Sequence, residues 1–170
     1  IKGAIKVLRS NSVEYKIINV PGALEIAPSI KIYSEKSSKD ILFDGFVALG
    51  CIIRGETYHF EIVSNESARA LSDLSITYSL PIGNGILTVE NKEQAIERSD
   101  PLRLNKGAGA ALACLSLINH KNIFLMNKTQ LNIKDNVRHN SIIKKTASRI
   151  CSTQVLYGAS FVQSLSLIHI

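Results

Sequence analysis

The sequence predicts an α/β fold with a mostly parallel sheet, and three observations predict it. Short β-rich segments alternate along the chain with segments of helical periodicity. One strand-like segment, Phe43 to Ile53 (FDGFVALGCII), is apolar almost without a break, as expected of a strand covered on both faces. The composition, 45% hydrophobic and 20% charged over 170 residues, suits one ordinary domain and excludes a mainly disordered chain.

Taken in order, Ile1 to Leu8 (IKGAIKVL) places Ile1, Ala4, Ile5 and Leu8 on one helical face and reads as the end of an amphipathic helix. The first residue is not Met, so a preceding segment is expected to be missing. Val13 to Val20 (VEYKIINV) predicts a strand, stopped by Pro21-Gly22. A helix is expected from Ala23 to about Lys36, then the apolar strand to Ile53, then a polar turn at Arg54-Gly55-Glu56-Thr57. Tyr58 to Tyr78 carries Phe60, Val63, Ser67, Leu71 and Leu74 on one face and predicts the next helix. Pro81 to Val89 (PIGNGILTV) predicts a strand, and helices are expected over Glu90–Arg98 and Lys106 to about Asn119. Asn127 to Asn140 is polar without clear periodicity, and helical character returns at Ile142 to Gln154.

The net charge of +6 is unevenly spread. Residues 1–120 carry 13 basic and 13 acidic side chains, whereas residues 121–170 carry seven basic ones and Asp135 alone as an acid. That asymmetry predicts a division at about residue 120, with a basic extension beyond it. Cys51, Cys114 and Cys151 are widely spaced, without a C-x-x-C pair, which argues against a disulfide framework or a structural zinc site. No apolar run reaches the roughly 20 residues of a membrane span, and the opening residues do not read as a basic-then-apolar leader. A cytoplasmic protein with no membrane contact is expected.

In parallel α/β sheets, ligands bind beyond the carboxyl ends of the strands. Three strand ends here carry unusual residues: Pro21-Gly22-Ala23-Leu24-Glu25, then Cys51 through His59 (CIIRGETYH), and Gly83-Asn84-Gly85. At the second, a glycine, an acid and a hydroxyl precede a helix whose free N–H groups favour an anion. His59 would stand beside that anion with a pKa suited to proton transfer. The residues alone leave the other reading open, in which Thr57 caps the helix and His59 is a surface residue. Glu25 alone reads as a first-turn acid, and Arg98 as either a phosphate clamp or a favourable helix end.

Taken together, the blocks VPGALEI, ALGCIIRGETYHFEIVSNESARAL, PIGNGILTVEN-x-x-QAIER and NKGAGAAL, in the family's order and close to its spacing, resemble the 6,7-dimethyl-8-ribityllumazine synthase family, from the first residue to about Leu117. The resemblance implies a three-layer, flavodoxin-like sheet. It also implies condensation of 5-amino-6-(D-ribitylamino)uracil with 3,4-dihydroxy-2-butanone 4-phosphate, without metal or organic cofactor. By position it assigns Ala23, Leu24, Glu25, Cys51, Ile52, Ile53 and Asn84 to the ribitylaminouracil, and Glu56, Thr57 and Arg98 to the phosphate. His59 is assigned as general acid/base, and Lys106 is placed near the charge held by Arg98. Asn84 and Arg98 are expected from a neighbouring subunit of a pentamer, which in this family sometimes closes into an icosahedral capsid.

Two departures accompany the resemblance. The family's first strand, with the aromatic residue that follows it, has no counterpart at the start of this sequence, so the sheet is expected to lack a central strand and the chain to fold poorly. The second departure is the extension, residues 121–164. There Thr146 to Gln154 and Val155-Leu156-Tyr157 resemble the first helix of the antitermination factor NusB, which implies RNA contact by a basic segment. Residues 165–170 (LSLIHI) match the translation of a common sequencing-adapter end and are expected not to belong to the natural protein. Two other readings follow: a degenerate domain whose basic tail binds RNA, or a shell-forming assembly protein.

Overall fold

A computed structural model of the chain describes residues 1–35, 43–136 and 152–159, with side chains described for 1–35 and 43–127. The elements are α1 (Lys2–Ser10), β1 (Glu14–Val20), α2 (Ile26–Glu35), β2 (Gly45–Ile53), α3 (His59–Tyr78), β3 (Ile82–Val89), α4 (Lys92–Ser99), α5 (Lys106–Asn136) and β4 (Ser152–Ala159). All strand pairings are parallel, and the order across the sheet is β1-β4-β2-β3.

The apolar run of β2 explains the layering. Successive side chains of a strand point to opposite faces. Phe46 and Ala48 therefore pack with Ile26, Ala27 and Ile30 of α2 and Leu71 of α3. Val47 and Leu49 pack on the other side with Ala4 and Leu8 of α1 and Ala110, Ala111 and Cys114 of α5. Two helical layers thus cover one sheet, the predicted three-layer α/β, flavodoxin-like sandwich. The small residues of α5 let it lie close on β3: a Cβ at Gly83 would collide with the Ala110 carbonyl oxygen.

Element boundaries shift where local hydrogen bonds intervene. Ala23 to Glu25 form a turn, with the Ile26 N–H reaching the Ala23 carbonyl at 3.4 Å, so α2 starts at Ile26 and Glu25 precedes its first turn. Glu90 and Asn91 form a cap rather than helix. The Asn91 side chain accepts from the Gln94 N–H at 2.9 Å, and the Gln94 side chain accepts from the Glu90 N–H at 3.0 Å. Such a cap contributes about 1 kcal/mol.

Beyond residue 120 the structure departs from the sequence reading. Helix α5 does not end near Asn119 but continues to Asn136, because no Gly or Pro lies between Gly109 and Asn136. Ser152 to Gln154, expected to be helical, belong to β4, and so do Val155 to Tyr157 of the NusB-like stretch. Ile142 to Cys151, Lys36 and the terminal LSLIHI lie outside the described residues. The central gap expected in the sheet is occupied, since β4 lies between β1 and β2. Among the described residues, no helix is long and apolar enough to cross a membrane.

Candidate active site

Parallel strands place their carboxyl ends at one edge, and the turns after β1 and β2 meet there. Buried Ala23, just past β1, packs with Ile52 at the end of β2 and with Val63 of α3, with Phe60 against them. This small cluster brings Ala23–Glu25, Cys51–Ile53 and the start of α3 together. Leu24, Glu25, Glu56, Thr57 and His59 are exposed along its rim.

His59 is the first residue of α3. The N-cap is Tyr58, and no side chain caps the helix, so Thr57 does not play the capping role that a purely structural reading gave it. The first turn of this 20-residue helix therefore has no side-chain cap, and Thr57 and His59 flank its start in sequence. Cys51 is half-buried, and burial pushes its thiol up to about 11, so it stays protonated and non-nucleophilic near neutrality.

Arg54, read from sequence only as part of a polar turn, proves to be an organising residue. Its guanidinium pairs with Glu61 in the first turn of α3 and, through Nε at 2.6 Å, with Glu90 beyond β3. It also covers the Phe60 ring at 4.2 Å. The clamp joins the end of β2, the start of α3 and the end of β3. Arg54 holds the Glu61 carboxyl below its ordinary value, while the two carboxylates raise the guanidinium. The short spacing from Arg54 to Glu61 was visible in the sequence, but the partner at Glu90 is 36 positions away and follows only from the pairing of β2 with β3.

The remaining assigned residues lie elsewhere. Asn84, Arg98 and Lys106 line an open pocket of about 330 Å³ at the free edge of β3, with Ile86, Thr88 and Ala110. The Asn84 side chain accepts from the Ile86 N–H at 3.0 Å, which holds its amide in place. Half-buried Arg98 has no ion-pair partner among the described residues. The assigned residues thus fall into two separate groups, one along the carboxyl edge at β1 and β2 with exposed His59 and Thr57, the other a cationic pocket at β3. Among the described residues, no group of His, Cys, Asp and Glu is arranged to hold a metal ion.

Fold and site define a flavodoxin-like α/β protein whose ligand edge lies at the carboxyl ends of its strands. The sequence model of 6,7-dimethyl-8-ribityllumazine synthase matches residues 1–122. Over 124 residues the chain is 55% identical to a 6,7-dimethyl-8-ribityllumazine synthase of Bartonella henselae, covering 73% of this chain and 79% of that protein. It is 54% identical to one from Agrobacterium fabrum, covering 71% and 82%, and 50% identical to one from Zymomonas mobilis, covering 71% and 84%. The chain belongs to the 6,7-dimethyl-8-ribityllumazine synthase family, transferases of riboflavin biosynthesis. Membership implies small-molecule substrates and an oligomeric assembly.

Proposed function

We propose that the chain condenses 5-amino-6-(D-ribitylamino)uracil with 3,4-dihydroxy-2-butanone 4-phosphate in the cytoplasm, with His59 moving the protons. The proposal is carried by the uncapped start of α3, where His59 and Thr57 are both exposed. The 5-amino group adds to the butanone carbonyl and one water leaves, phosphate is then eliminated, and the ribityl-bearing nitrogen closes the ring on the carbonyl carbon that this elimination generates, releasing a second water. Each of these steps needs a proton delivered to a leaving oxygen and one removed from nitrogen or carbon, which a positioned imidazole can do. Glu56, Thr57 and the α3 N–H groups hold the phosphate, and the turn Ala23-Leu24-Glu25 with Cys51-Ile52-Ile53 holds the ribitylaminouracil. These roles need no covalent nucleophile, in keeping with the protonated Cys51 thiol.

Asn84, Arg98 and Lys106 complete the site of a neighbouring subunit in a pentamer, and sedimentation distinguishes a free pentamer from a closed capsid of many pentamers. Arg98 without an internal carboxylate, and exposed apolar side chains nearby (Leu102 is 94% exposed), support a subunit contact at that edge. Lumazine formation followed by absorbance tests the assignment. His59→Ala should lower turnover while leaving the affinity for inorganic phosphate nearly unchanged, and full turnover in that variant would overturn it.

The charge of residues 121–170 favours a second reading, RNA contact by the extension, with residues 1–120 as the synthase domain. Binding of the full chain to single-stranded RNA should then weaken steeply with added salt. Absence of binding at low salt would dismiss it.

A further inference from the structure

We propose that residues 152–159 serve as a donor strand in cis, entering the slot between β1 and β2 and completing the sheet from outside the part of the chain that matches the family. The family match ends at residue 122, yet β4 lies in the interior of the sheet. β1 and β2 do not pair with each other. Glu14–Val20 pairs with Ser152–Gly158, and Gly45–Cys51 pairs with Thr153–Ala159. Withdrawing β4 would strip ladder partners from both strands, including the run Gly45–Gly50, which is buried throughout. Buried backbone N–H and C=O groups without partners are strongly unfavourable, so the slot selects an extended parallel segment.

The segment STQVLYGA suits that place. It has no proline and no charge, and Thr153, Val155 and Tyr157 favour a pleated, covered surface. Its geometry also permits closure within one chain. Helix α5 runs opposite to the strands, since Ala110 lies against Gly85 and Ile118 against Gly45, the first residue of β2. The helix therefore passes the amino edge of the sheet near Ile118 and continues 18 residues to Asn136, about 27 Å at 1.5 Å per residue. The 15 residues between Asn136 and Ser152 can span about 50 Å when extended, enough to return to that edge. At the other end, Gly158 pairs with both Val20 and Gly50, so β4 also sets the spacing of the turns that form the carboxyl edge.

The register supplies a test that does not depend on catalysis. Ala159 is the pairing partner of Cys51. In the full-length chain carrying Cys151→Ser, Ala159→Cys should form a disulfide to Cys51 on mild oxidation. Peptide mapping and a non-reducing gel should locate it within the monomer. Thr153→Cys, at the far end of β4, should not cross-link to Cys51. A cross-linked dimer would overturn closure in cis in favour of exchange between copies, and no selective cross-link would overturn the strand itself. Val155→Pro, which removes a ladder N–H between Ile17 and Val47, should raise amide exchange at residues 46–50 at least tenfold. Unchanged exchange would also refute the assignment.

Discussion

Two arginines set the carboxyl edge and the β3 pocket apart. Arg54 at the carboxyl edge is paired with two carboxylates, Glu61 and Glu90, and lies over the Phe60 ring. Arg98 at the free edge of β3 faces an open pocket with Lys106 and has no carboxylate partner among the described residues. A guanidinium already paired with two carboxylates has little left to offer a phosphate, so Arg54 builds the edge. The unpaired one retains its donors for an incoming anion. The two residue types are identical, and their surroundings give them different work.

Breaking each half should separate these roles. The largest effect belongs to His59→Ala, with kcat for lumazine formation falling about 10²- to 10⁴-fold, the usual worth of a positioned acid/base. Next comes Arg98→Ala, which removes charge-assisted hydrogen bonds to phosphate worth about 1.5–3 kcal/mol and should raise KM for the butanone phosphate roughly 10- to 100-fold. Unchanged KM there would return Arg98 to a helix-end role. Arg54→Ala should instead lower the melting temperature, with KM changing far less than for Arg98→Ala.

The same clamp makes stability depend on pH. Because Arg54 depresses the Glu61 pKa, its contribution is fully present above the ordinary carboxylate range and is lost as pH falls through the lowered value. Thermal melts between pH 7 and pH 3 should show this acid loss in the parent chain and a smaller one in Arg54→Ala. The smallest effect is expected at Cys51: with its thiol protonated, Cys51→Ala should change kcat by less than about threefold.

The alternation of strands and helices was legible because hydrophobic periodicity is local, and β1, β2, α3 and β3 lie within a few residues of their expected positions. The carboxyl-edge residues were legible for the same reason, since strand ends and helix starts mark them in sequence. What was hidden depends on distant partners. Glu90 joins Arg54 only because β2 and β3 pair in parallel, and the pocket around Arg98 exists only because α5 closes on β3. Ser152 to Gln154 were expected to end a helix, yet with β-prone Val155 and Tyr157 they lie as strand between β1 and β2, because pairing with two distant strands decides their state.

On the proposed arrangement, the two halves form one site across a subunit boundary. Mixing His59→Ala with Arg98→Ala protein, after dissociation and reassembly, distinguishes a shared site from two separate ones. If each site takes His59 from one subunit and Arg98 from its neighbour, an equal mixture regenerates about a quarter of the intact sites by random assembly. Lumazine formation should then rise well above that of either variant alone. Activity that stays at the level of the separate variants would contradict a shared site.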